Sequence, residues 1–495
     1  MTDYSILTIR RVLPLIVLTG GCLLASDADG KPGGDQHKAK TLVDQYTADI
    51  KELADWCEER GLDRQRDETL SWLSPRDPYK MFVYVPPEEV GDNQPPKDAE
   101  GDILQWHTRL TKLRTQHAND LFDLAKRAVR AKQASLAFDL VLAAIRANPD
   151  HEGLRRLFGY QKYNGRWHSD WEVRKLRAGE VWHEKFGWLP KSHVKRYEQG
   201  ERRHKGRWIS AEEDARLHRN IRNGWDVETE HYTIRTNLGI EEAVLLGVKL
   251  ERLFRVWQQL FVRYYATEAQ VKALFDGRAR VRQVPPHFDI VYFRDREDYN
   301  RALRASMPNI EMSIGVYVHS TRRAYFFAGE GYDERTLYHE ATHQLFHQSR
   351  PVVANVGARA NFWIVEGASL LMESLRREGN YDVLGGLDDV RMYAARYRFL
   401  EDEFYVPLGE FTSYGMQRFQ SDQRVATLYS QAAGLTHFLV FAEEGRYRDA
   451  LVGYLQIIYS GRDNAQTLSR ITGETYGELD KQYRRFIEAT RPKAE

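Results

Sequence analysis

In "LYHEATHQLFHQ", residues 337–348, two histidines stand four apart and a glutamate directly follows the first. At about 100° per residue, His339 and His343 lie only about 40° apart around a helix axis, so both imidazoles can reach one ion. Glu340 falls at the edge of the same face, placed to polarise a water at that ion and not to ligate it. Leu337, Ala341 and Leu345 take the opposite face. The pattern predicts a helix starting near Asp333, its back in a core and its front on a cleft.

A tetrahedral zinc site needs a third protein ligand and an open position. A metzincin would carry Gly and His where Phe346 and Ser349 stand, so that pattern fails. His347 continues the face but has rotated away one turn further on; it reads as a cleft-wall residue or a plain surface one. A better third ligand lies in "NFWIVEGASLLMESL", residues 361–375. There Glu366 projects from a second helix whose core side is Ile364, Ala368, Leu371 and Leu375. Glu373, two turns on and on the same face, can orient a ligand, with a surface ion pair as the plainer role.

Together, "HEATH" and the Trp-x-x-Glu-Gly arrangement of Trp363 to Gly367 resemble the gluzincins, the zinc metallopeptidase clan typified by thermolysin. In that clan two helices bring His, His and Glu together. The resemblance covers roughly residues 226 to 490 and departs from thermolysin-like sequences at Val365 and Leu370, where Asn and Asp are expected. It implies an α+β catalytic domain, a small mixed sheet followed by helices, with one Zn2+ held by His339, His343 and Glu366. It also implies that zinc and Glu340 activate a water, and that Glu340 passes the proton to the leaving amine. The oxyanion then needs a donor. In aminopeptidase-type gluzincins a downstream tyrosine supplies it, and Tyr429 in "TLYSQAAGLTHFL" stands at a comparable remove. Tyr405, Tyr414 and His437 compete for that role, and core packing is the ordinary explanation of any one of them.

Upstream, "ETEHYTIRTN" alternates as a strand and "GIEEAVLLGVKLERLFRVWQQLF" reads as a long amphipathic helix. A strand at "HFDIVYF" and a hairpin at "IGVYVHSTRRAYFFAG" follow, after which the pattern is helical to the end. Gluzincins pair an extended peptide with an edge strand ahead of the zinc helix. Gly315 in the hairpin would permit such an approach, ordinary sheet packing being the rival account. These elements define a domain over residues 225–490.

The N-terminal half is organised differently. Residues 1–25 place Arg10 and Arg11 before an apolar run of 14 residues, Val12 to Ala25, which is a signal-peptide pattern and too short to span a membrane. Cys22 after two glycines raises lipid attachment as an alternative to cleavage after Ala25. Only Cys57 remains as a second cysteine, so packing or metal must supply what disulfides would in an exported protein. Residues 26–100 read as a linker and a helical segment with Leu42, Tyr46, Ile50, Leu53, Trp56 and Cys57 on one face. The proline-rich "VPPEEVGDNQPPKDAEGD" closes that segment.

Over residues 101–160, Leu124, Ala125, Ala137, Ala144 and Pro149 match one tetratricopeptide-like (TPR-like) unit, or a plain alanine-packed helix pair. Residues 161–224 hold a shorter repeat, "GRWHSDWEVRK", "FGWLPKSHVKR" and "GRWISAEEDAR", with Trp167, Trp188 and Trp208 about twenty residues apart. Each unit predicts a tight turn, an anchoring tryptophan and an N-capped helix. This stretch is basic, 18 Lys or Arg against 9 Asp or Glu over residues 153–223. Such a surface suits an anionic cell-envelope polymer or a protein partner, or the tryptophans simply pack each unit.

The whole chain of 495 residues has 72 Lys+Arg against 71 Asp+Glu and is 42% hydrophobic. Charge therefore offers no argument for nucleic acid or a membrane surface, and export argues against nucleic acid. No transmembrane helix is expected in the mature chain. The composite expectation is an exported zinc-dependent peptidase acting on a peptide or protein, with a cell-wall peptide as one substrate. The alternative is a gluzincin-fold binding protein of the envelope that acts through its N-terminal repeats.

Overall fold

The computed structural model describes residues 34–491 apart from positions 92, 93, 96, 98, 279–286 and 332. The signal-peptide reading of residues 1–25, with Cys22, lies outside the described residues. The chain is mixed α+β, mainly helical with small sheets.

A five-stranded sheet organises the C-terminal half, in the order Val316–Val318, Arg323–Phe327, Phe288–Phe293, Tyr232–Thr236, Trp225–Glu228. The three inner strands run parallel and both edge strands antiparallel. Period-two alternation gives the sheet two apolar faces. Ile234, Ile290, Tyr292, Ala324 and Phe326 enter the main core with Leu337, Ala341 and Leu345. Val291, Phe293, Tyr325 and Phe327 meet Tyr299 and Leu303 on the far side. The parallel crossover uses the predicted long helix, Ile240–Leu260, which buries Leu246, Leu250, Leu253, Phe254 and Trp257.

Two sequence expectations for this half need correction. "ETEHYTIRTN" holds not one strand but the turn and second strand of a hairpin, because Thr229 N donates to Tyr232 O at 2.9 Å and closes a turn with no glycine or proline to announce it. Nor is the chain helical throughout after Gly331: Arg376–Glu378 and Tyr381–Gly385 form a second hairpin. Its Tyr381–Gly385 strand pairs antiparallel with Lys80–Tyr84 from the N-terminal half. The fully buried Asp382 of this hairpin is bound by Arg252, Arg255 and Arg377 at 3.4, 2.5 and 3.1 Å, fastening it to the crossover helix.

Helix Gly34–Glu58 begins inside the stretch read as linker, where Asp35 pairs with Arg127 at 2.7 Å. Helix Gly101–Arg130 starts at the predicted boundary and packs against Ala134–Ala147, with Ala125, Ala137 and Ala144 fully buried. The first of the pair is 30 residues long and the second 14. The three short repeats are β-hairpins each followed by a helix. Asn164–Gly165 and Lys205–Gly206 turn with both φ positive, which favours glycine at the second position. Ser169 and Ser210 cap the first and third helices, whereas the second is entered through a 3-10 turn without a side-chain cap. Trp167 is buried, while Trp171 meets Trp188 edge-on at 5.6 Å, so tryptophans join neighbouring units as well as filling them.

One described helix, Val425–Gly445, is long and apolar enough to cross a membrane, but 72% of its apolar window is buried inside the protein. It packs as a core helix.

Candidate metal centre

The histidine helix spans Glu334–Gln348, with the Asp333 side chain accepting from Arg335 N. Leu337, Ala341 and Leu345 are fully buried, which turns His339, Glu340 and His343 outward. The glutamate helix, Phe362–Met372, is buried on every side, as expected of a helix apolar all round. It packs on one face against the histidine helix and on another against Val425–Phe441. Gly367 makes the second packing close: a Cβ there would come within 2.2 Å of Thr436 Oγ1 and 3.0 Å of Ala432 O. The glycine beside Glu366 thus has a packing reason.

These two helices bring His339, His343 and Glu366 together. The two Nε2 atoms lie 3.1 Å apart, and Glu366 Oε2 is 3.3 Å from His339 Nε2 and 3.8 Å from His343 Nε2. All three ligand atoms fall within 4.8 Å of one another. Glu373 holds one of the two imidazoles: its Oε1 accepts from His339 Nδ1 at 2.8 Å, and Arg391 Nε donates to its Oε2 at 2.7 Å. Ser369 Oγ lies 3.3 Å from His343 Nδ1. Since a carboxylate only accepts, His339 carries a proton on Nδ1, and its Nε2 faces Glu366 and His343, where it can take either a second proton or a metal ion. Two imidazole nitrogens and a carboxylate oxygen facing one point are a donor set that suits zinc. The residues fit the ion.

Protons bear part of that charge when no metal does. Burial disfavours the His339 imidazolium, but hydrogen bonds to Glu366 and Glu373 outweigh it and push its pKa up to about 10. Burial would raise Glu366, yet its bonds to the two histidines hold it well below the usual carboxylate range.

Glu340 stays out of the ligand cluster. Its Oε2 accepts the backbone N–H of Tyr317, on the edge strand, at 2.9 Å. Gly315 is explained by packing, since a Cβ there would meet Phe326 and Thr336 at 3.0 Å each. His347 is half-buried, its Nδ1 2.9 Å from the Tyr317 hydroxyl and its ring 4.3 Å from that of His319. Burial, with His319 and Arg322 nearby, pushes its pKa down to about 4.

Among the tyrosines, Tyr429 faces the centre from helix Val425–Phe441 and rests edge-on against Phe419 at 5.2 Å. Burial, then the carboxylates of Glu366 and Glu340, hold its phenol above the ordinary range. The competitors are engaged elsewhere: Tyr405 donates to Asp480 at 2.6 Å, Tyr414 to Glu410 at 2.6 Å, and His437 Nδ1 to Ala433 O at 3.0 Å. Sequence reading missed Ser369, three residues past Glu366 and so on its face, a readable spacing. It also missed Arg391, which arrives from another helix with no local signal.

The chain matches no known protein-family model, and no curated protein is detectably similar to it.

Proposed function

We propose that this chain is an exported zinc-dependent peptidase of gluzincin type, with His339, His343 and Glu366 as ligands. The observation that carries the reading is the convergence of two imidazole nitrogens and a carboxylate oxygen on one point, beside a glutamate that takes no part in it. The leader pattern of residues 1–25 supports export, and a TPR-like reading of the long helix pair would give the enzyme a surface for an envelope partner.

A zinc ion at these residues would supply Lewis-acid polarisation of a water and of a scissile carbonyl. The protein's own groups do the rest. Glu340 Oε1 takes the proton from the attacking water while the Tyr317 N–H fixes the other oxygen, and then delivers that proton to the departing amine. Tyr429, its phenol kept protonated by burial and neighbouring carboxylates, donates to the oxyanion. The short strand Val316–Val318 is a sheet edge beside Glu340, where an extended peptide can add as a further strand.

The test compares the metal content of wild type and Glu366→Ala by mass spectrometry, then screens peptides with Glu340→Gln as the inactive control. One zinc fewer in Glu366→Ala, with cleavage lost in Glu340→Gln, supports the reading. Equal zinc in the two chains, or cleavage that survives Glu340→Gln, refutes it. Zinc without cleavage would favour the binding-protein alternative.

A further inference from the structure

The geometry points to a second zinc site, in the third tryptophan repeat, made by His204, Asp214 and His218. His204 ends the strand Glu201–His204; Asp214 lies on helix Ala211–Leu217 and His218 caps it, four residues on. Their ligand atoms lie within 4.8 Å of one another. Asp214 Oδ1 is 3.4 Å from His218 Nε2 and 3.9 Å from His204 Nδ1. With Zn–N near 2.0–2.1 Å, the edge of a tetrahedral site is about 3.4 Å, so little closing is required.

Two surrounding contacts argue for a cation. The Asn223 carbonyl, which only accepts, takes a hydrogen bond from His218 Nδ1–H, which leaves Nε2 facing the Asp214 carboxylate. Trp225 Nε1 donates to the other oxygen, Oδ2, at 2.8 Å and turns Oδ1 into the gap. A backbone carbonyl behind a ligating histidine and a donor behind a ligating carboxylate are the outer contacts that orient metal ligands. Asp214 is only 4% exposed, and a buried carboxylate needs a counter-charge. The side chains of His204 and His218 remain 25% and 18% exposed, leaving an open side for water as fourth ligand. Because Trp225 begins the five-stranded sheet, an ion here would fasten the last repeat to the domain that carries Glu340.

The experiment uses the full chain carrying His339→Ala and Glu366→Ala, which disables the first centre, loaded with Zn2+ and desalted. Metal analysis should return one zinc per chain, and addition of either Asp214→Asn or His218→Gln should remove it. Asp214→Asn keeps the side chain's size and its acceptor for Trp225, and near-ultraviolet circular dichroism verifies that it folds. In parallel, Zn2+ should raise the melting temperature of the parent double variant by several degrees and leave that of the Asp214→Asn chain unchanged. No zinc in the double variant, or zinc content and melting response indifferent to both added substitutions, would overturn the site.

Discussion

Replacing Glu373 by alanine tests the metal centre without touching a ligand. The buried Glu373 carboxylate holds His339 Nδ1–H at 2.8 Å and is itself held by Arg391 Nε at 2.7 Å and Nη2 at 3.1 Å. Three things go with it: the tautomer that leaves Nε2 free, the orientation of the ring, and the added basicity that a carboxylate partner lends to an imidazole. Removing such an outer partner costs about 10–100-fold in metal affinity, or about 1.4–2.7 kcal/mol at 1.36 kcal/mol per decade. Glu373→Gln keeps an acceptor oxygen but not the charge, so its loss should be the smaller, about tenfold or less. Competition against a chromophoric zinc chelator at pH 7.5 reads both constants, in the double variant Asp214→Asn/His218→Gln so that only one class of site reports. An alanine variant that binds within twofold of its parent would show that Glu373 does not support His339, and the geometric argument would fall with it.

Other outcomes follow from the same geometry. Tyr429→Phe should lower kcat by about 100–1,000-fold with KM and zinc content unchanged, the expected loss of one oxyanion donor; equal kcat would return Tyr429 to a packing role. Gly367→Ala should cost about 1–3 kcal/mol in denaturant unfolding, because the methyl drives into Thr436 and Ala432. Zinc must displace the proton that holds His339 near pKa 10, so affinity should rise about tenfold per pH unit from about pH 7 to 9 and level off above 10. The metal-free chain should behave oppositely. His339, raised from about 6.5, contributes stability that is complete below that pH and is lost as pH climbs through about 10. Glu366, depressed, contributes above its ordinary pKa near 4.5 and loses its share on acidification. His347, held down to about 4, adds stability that is lost as pH falls below about 6.5, so thermal melts of metal-free protein should peak near about pH 6.5, and a curve still rising toward pH 9 would contradict the pairing.

The parts of the centre that were legible in the sequence are those whose geometry is local. His339, Glu340 and His343 follow from the helical period alone, and Glu373 was visible as two turns beyond Glu366. The correct backing of the helix by Leu337, Ala341 and Leu345 is the same information read from the other side. What escaped depends on distant chain. The strand Lys80–Tyr84 pairs with Tyr381–Gly385 roughly 300 residues away, and nothing near either segment names its partner. Part of that second hairpin was readable, since Gly379–Asn380 between Arg376–Glu378 and Tyr381–Gly385 is turn chemistry. The surrounding apolar helices masked it. Arg391 and the Tyr317 N–H are likewise products of tertiary placement, and the His204, Asp214 and His218 grouping is split across a strand, a helix and a cap.

That division explains how the candidate metal centre is held. Three acceptors facing one point repel one another, so their arrangement survives only if the backbone behind them has nowhere else to go. The glutamate helix supplies that constraint: every residue from Phe362 to Met372 is buried. At its start Asn361, at φ 58°, donates its side-chain Nδ2 to Asp463 and Asn464, and its Oδ1 accepts from the Tyr454 hydroxyl. At its end Glu373 is gripped by Arg391. The histidine helix is pressed from behind by Phe346 against Tyr264 and Phe261. A helix so confined cannot swing Glu366 away to solvent, so the cluster relieves its repulsion by taking up a cation, either a proton on His339 or a metal ion. Proton and metal then compete for one cavity, which is why zinc affinity and metal-free stability must run in opposite directions as pH rises.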